Sequence, residues 1–153
     1  VQSVNAADTI IRGAEAGLSI DISDNLRARA VLNYTFGRET IGSESAQPAD
    51  RIPPLSGELS IDVDLNAAWL WQSSLTVAGR QDRLNDRDIR DVRINPDGTA
   101  GWTIVGTALT YAPRESWRVK LSADNVLDKR YRMHGSGIDA PGRNMAITLF
   151  SRW

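Results

Sequence analysis

Between Ile10 and Ile22 the chain changes character at every residue. Ile10, Ala14, Ala16, Leu18, Ile20 and Ile22 share one parity; Gly13, Glu15, Gly17, Ser19 and Asp21 share the other. A period of two marks a β-strand with one apolar and one polar face. The pattern returns over Asn25–Arg38, Leu55–Leu65, Ala67–Gln81, Gly101–Ala112, Trp117–Asp124 and the closing stretch GRNMAITLFSRW. About seven strands are predicted, mostly of eleven residues or more, against about five or six for soluble strands.

The connections constrain the fold further, because they alternate. Short ones fall at Ser23-Asp24, near Asn66 and over Pro113–Ser116. Long ones run through IGSESAQPADRIPP, from Asp82 to Ala100 and from Asn125 to Pro141. A soluble sandwich gives no reason to sort its loops in this way. An up-and-down barrel crossing a membrane does, with tight turns on one side and long loops on the other. The expected fold is therefore all-β: an antiparallel up-and-down transmembrane β-barrel, here a partial barrel of about seven strands. The alternative is a small soluble or membrane β-barrel that binds an apolar ligand.

Aromatic residues cluster at strand ends, where amphipathic rings meet lipid headgroups. Trp69, Trp71, Tyr111, Trp117 and Trp153 lie at short-turn ends; Tyr34, Phe36 and Trp102 lie at long-loop ends. Trp102 is off the parity of its strand, so a bulge or a rim position is expected there. Charges obey the same geometry. Arg27, Arg29, Asp62, Asp64, Arg118 and Lys120 fall on polar faces. Arg12 falls on an apolar face, near a long-loop end, where a long side chain reaches the interface at small cost.

Composition removes several functions. Lys and Arg number 18 against 19 Asp and Glu, net charge −1, and they are interspersed, so no nucleic-acid surface is expected. Cysteine is absent, which excludes disulfides, thiolate metal sites and a Cys nucleophile. No apolar run nears the roughly 18 residues of a membrane helix. The start, VQSVNAADTI, lacks the basic and apolar regions of a signal peptide. The chain is expected to be either intracellular or a piece of something longer.

Its last thirty residues, DNVLDKRYRMHGSGIDAPGRNMAITLFSRW, carry a family resemblance. Asn125, Asp128, Lys129 and Tyr131 form an Asn-apolar-x-Asp-Lys-x-Tyr signature, and Pro141, Gly142, Arg143 and Asn144 open the final strand. With Gly13 and Glu15, and with NYTF followed by RIPP, they resemble the C-terminal part of a TonB-dependent outer-membrane receptor. The resemblance implies a nutrient-uptake receptor of the Gram-negative outer membrane, energised through TonB. Its ligand would be an iron-siderophore, haem, cobalamin or similar small-molecule or metal-chelate compound. Residues 1–153 would be the C-terminal portion of its barrel, with the plug domain and earlier strands absent. Outer-membrane lipid and the barrel-assembly machinery are the further implied partners. That machinery would read the terminal strand through Trp153, Leu149, Ile147 and Met145.

No catalytic constellation emerges, and neither enzyme activity nor a cofactor or metal is expected. His134, the single histidine, sits in a glycine-bordered loop (MHGSG) and is expected to be a solvent-exposed turn residue, with ligand contact the lesser possibility. Asp82, Asp86, Asp88, Asp91 and Asp97 alternate with Arg83, Arg87, Arg90 and Arg93, which predicts local ion pairs rather than a calcium loop. Arg80, Arg83 and His134 are the candidate rim contacts for a ligand.

Overall fold

The computed structural model describes residues 7–42 and 45–152; Trp153 and its expected role lie outside them. The chain runs β1 (Ala7–Ser23), β2 (Leu26–Ile41), β3 (Gln47–Pro48), β4 (Ser56–Asn66), β5 (Trp69–Ala78), α1 (Asp86–Arg90), β6 (Trp102–Arg114), β7 (Trp117–Asp124) and β8 (Asn144–Ser151). Seven long strands pair antiparallel in chain order, β1-β2-β4-β5-β6-β7-β8, and β3 adds to the side of β2. This is the expected meander. The sheet does not close: β1 and β8 are its two edges.

The three tight turns are two residues each: Asp24-Asn25, Ala67-Ala68 and Glu115-Ser116. Beside every one the register shifts, between Asp21 and Ser23, Asp64 and Asn66, and Tyr111 and Arg114. Such bulges sharpen strand twist at a rim. Pro113 falls inside the last shift, where its missing N–H breaks no ladder. The helix α1 and the short β3 were not foreseen. Both are too brief to show a period, and both lie in polar connections.

The register fixes two faces. Leu18, Ala30, Leu59, Leu75 and Val105 form one row across five strands, and the row is apolar. Leu121, Ile147, Leu149 and Met145 lie on the same side. Of these, Leu149 is 74% and Ile147 71% exposed. The other face carries Arg29, Asp62 and Gln72, with Asp62 accepting from Arg29 at 2.5 Å and from Gln72 at 3.1 Å. Among the described residues no second sheet or long helix covers either face, and the loops pack only at one end. The accessible surface is 11030 Å², whereas a compact protein of this mass exposes about 7,600 Å². A single layer with one apolar face suits a wall between hydrocarbon and water. Two hydroxyls midway along the apolar side are satisfied internally: Ser73 donates to the Gly106 carbonyl and Thr107 to the Gln72 carbonyl, both at 3.1 Å. A lipid-facing polar atom needs such a partner.

The short-turn girdle is present. Trp69 stacks on Tyr111 at 4.5 Å and Tyr111 meets Trp117 edge-on at 5.7 Å. Trp102 departs from the expected girdle. No register shift occurs at Trp102, which pairs with Ala78. Its parity points it to the polar face, where it packs on Tyr131 at 4.5 Å.

Candidate functional site

Buried apolar residues are few: Ala49, Ile52, Ala78, Ile94 and Ala108. Three of them lie in the long connections, so the core of this chain sits under its loops. The first long loop, 42–55, folds back onto β2. Ala49 donates to the Gly37 carbonyl at 3.1 Å, and Ile52 presses on Gly37 so closely that a Cβ there would stand 2.4 Å from its Cδ1. Only glycine permits that approach.

Next to this contact Glu39 is buried at 1% exposure. Its carboxylate accepts from Asn85 at 2.8 Å and from Gln47 at 3.2 Å, and pairs with Arg87. Asn85 belongs to the second loop, 79–101, and caps α1 by accepting from the amides of Arg87 and Asp88, each at 2.9 Å. Asp88 completes the capping box and accepts from the Arg51 amide at 3.0 Å. Gln81 donates to the Ile52 carbonyl at 2.7 Å and bridges to Thr99 through amides at 3.0 and 2.8 Å. Thr99 in turn hydrogen-bonds His134 Nδ1 at 2.9 Å, which attaches the third loop, 125–143. Three loops distant in sequence thus form one polar-cored cap at one end of the sheet.

Of the aspartates and arginines expected to pair locally, only Asp91 and Arg93 pair with each other among the described residues, and Arg87 reaches Glu39 and Asp50 instead. Asp91 takes Arg93 at 2.6 Å and Arg51 at 3.1 Å, and Arg93 holds its carboxyl well below the usual carboxylate range. His134 is not the exposed turn residue expected: it is half-buried, and its Nε2 is buried with no hydrogen-bond partner. Burial pushes its imidazole below the ordinary value, while the Asp88 charge pulls the other way. Arg80 donates to the Asp97 carbonyl and lies 3.4 Å from Asp82. Arg83 lies 4.1 Å over the ring of Phe36. The three candidate contacts do not converge on one point. Arg80 and His134 adjoin the Gln81–Thr99 bridge, and Arg83 turns to β2.

The signature residues act as a clasp at the base of the third loop. Asn125 is 3% exposed with φ 48°. Its side chain donates to the carbonyls of Lys129 and Pro141 at 2.9 and 3.2 Å, and accepts from the Lys129 amide at 2.9 Å. Asp128, at φ 52°, accepts from the Arg143 amide at 2.8 Å. Gly142 lets it approach, since a Cβ there would meet the carboxylate at 2.7 Å. Tyr131 packs on Trp102 and accepts from the Ala140 amide at 2.9 Å. Asn144 then opens β8 opposite Asp124. Asn125→Ala is expected to destabilise this clasp by about 2 kcal/mol, from the lost hydrogen bonds and an alanine held in the left-handed region. Asn125→Gly should cost about 1 kcal/mol less. Hydrogen exchange at the amides of Lys129 and Arg143 reads both; equal exchange in the two variants would remove the backbone part of the argument.

Glu39, Asn85 and Asp88 are the buried polar centre that sequence reasoning missed. Asn85-x-x-Asp88 is a legible capping box. Glu39 had no local signal, because its partners come from 8, 46 and 48 residues away.

Comparison with known proteins adds the following. A family profile described as "TonB dependent receptor-like, beta-barrel" matches residues 1–126. The chain is 24% identical to the iron-regulated outer membrane virulence protein of Vibrio cholerae, across 95% of this chain and 22% of that protein. Among solved structures it resembles the copper transporter OprC, with TM-score 0.80 and 22% identity over 94% of this chain and 24% of that one. It also resembles the ferric enterobactin receptor PfeA of Pseudomonas aeruginosa, with TM-score 0.69 and 19% identity over 92% and 22%. The chain therefore spans about a quarter or less of the length of these relatives.

Proposed function

Since the chain belongs to the TonB-dependent receptor family, as a segment of its outer-membrane barrel, we propose that the protein takes up a scarce nutrient across that membrane with energy delivered through TonB. Its place is the Gram-negative outer membrane. The observation that carries the uptake reading is the joined loop cap at one end of a lipid-exposed wall. Long loops at the extracellular rim are where such a receptor first meets its ligand, and rigid, mutually bonded loops lose less entropy on capture.

In this reading the chain is the C-terminal portion of the barrel. The plug domain and the segment that contacts TonB would belong to the remainder of the receptor. The outer-facing Met145, Ile147 and Leu149 of β8, with Trp153, would present the terminal strand to the assembly machinery. The ligand is an iron chelate or a comparable compound. Arg80 and His134 are the proposed rim contacts on the cap, Arg80 for its exposed cationic head and His134 for its half-buried imidazole beside Thr99.

Uptake in the intact cell tests this. Loss of the gene should abolish growth on its nutrient under iron or trace-metal limitation, and loss of TonB should do the same. Arg80→Ala and His134→Ala in the full receptor should weaken ligand binding about tenfold each. Unchanged growth and uptake in the deletion strain, across ferric siderophores, haem and cobalamin, would overturn the proposal.

A further inference from the structure

The outer face holds a second group of features that the loop cap does not use. Phe36 is on the apolar parity of β2, directly opposite Arg12 of β1. Arg38, two residues on, shares that face and is opposite Ile10. Arg83 reaches over the Phe36 ring from the second loop, its Cζ 4.1 Å from the centroid. Three exposed arginines thus share one end of the side that meets lipid, Arg83 over the Phe36 ring and Arg12 and Arg38 at neighbouring register positions. None of the three forms an ion pair among the described residues, including with Asp8, the acidic residue of the same face. Cations beside hydrocarbon need counter-charge, and guanidinium suits phosphate.

Below this cluster, across the row of Ala14 and Tyr34, the same face is hollowed. Ala16 and Ala30 floor a shallow groove of about 350 Å³, flanked by Leu18, Leu32, Leu59 and Leu75. From Arg12 to Ala16 is four residues, about 13 Å along a strand. An anionic head above and an apolar tail below fit one amphiphile in one orientation.

We propose that this face binds a phosphate-bearing lipid of the outer leaflet, its phosphate on Arg12, Arg38 and Arg83 and an acyl chain in the Ala16–Ala30 groove. The proposal rests on the outer face meeting lipid. It does not depend on which nutrient the receptor transports. The bound lipid would brace β1, β2 and the second loop from outside, where the sheet itself supplies no packing.

Native mass spectrometry of the full-length receptor, titrated in detergent with diphosphoryl lipid A, tests it. Its arms are the fully dephosphorylated lipid and inorganic phosphate alone. The phosphorylated lipid should be retained, and the other two should bind at least about tenfold more weakly. A triple variant, Arg12→Gln, Arg38→Gln and Arg83→Gln, should lose retention by about tenfold or more. Ala30→Phe, which fills the groove and leaves the arginines in place, should lower it as well. Equal retention by the triple variant, or equal retention of the dephosphorylated lipid, would overturn the proposal. Recovery of the wild-type receptor in the soluble cell fraction would instead refute the membrane placement beneath it.

Discussion

Leu75→Arg is expected to destabilise the receptor by about 2–4 kcal/mol, and Thr76→Arg, one position along the same strand, by almost nothing. The two sites differ only in the face they occupy. Leu75 lies in the apolar row with Leu59 and Val105, four residues beyond Trp71 of the aromatic girdle and so near mid-height of the hydrocarbon. An arginine there must desolvate its charge or drag water into the bilayer. Thr76 points to the polar side, opposite Glu58, where a guanidinium finds water and an acidic neighbour. Equilibrium unfolding of the receptor in lipid vesicles measures the difference. Equal stability of the two variants would mean that the apolar face does not meet lipid, and the assignment of inside and outside would fall with it.

Glu39→Ala is the second substitution with a large expected effect, confined to the loops. Removing the carboxylate strands the Asn85 and Gln47 amides in a buried site and releases Arg87 toward solvent, since that side chain is already half exposed. Unpaired buried donors cost about 1–3 kcal/mol each. The cap should loosen by about 2–4 kcal/mol in all, seen as faster hydrogen exchange over 45–55 and 81–94. The strands from β4 to β8 should be unaffected. Glu39→Gln keeps one acceptor and should fall between wild type and alanine. If the alanine variant exchanges like wild type, the three loops are not held through this centre.

The contrast between these two sites shows what a linear reading can reach. The face of Leu75 is legible because alternation is a local property: each residue's side is set by its neighbour, and seven repetitions leave little ambiguity. The sorted turn lengths add orientation, and the signature from Asn125 to Tyr131 adds the family. Glu39 is different. It lies one residue beyond the predicted strand, and its burial depends on Asn85 and Arg87 arriving from another loop. His134 likewise reads as an exposed turn residue until Thr99 is seen beside it. Trp102 marks the boundary between the two kinds of inference. Its broken parity was visible, but the cause, a ring turned inward onto Tyr131, was not. The helix α1 escaped because five residues are too few for a 3.6-residue period to declare itself.

The clasp formed by Asn125, Asp128 and Gly142 ties the two ends of the third loop to each other rather than to its tip. Between Arg132 and Asp139, apart from His134, which fastens the loop to Thr99, and Gly137, which lies close against Arg93, residues can therefore vary without disturbing how β7 hands on to β8. A lineage can thus rewrite the tip of this loop while the last strand pair keeps its alignment, so that the exposed rim can diversify at little risk to the wall.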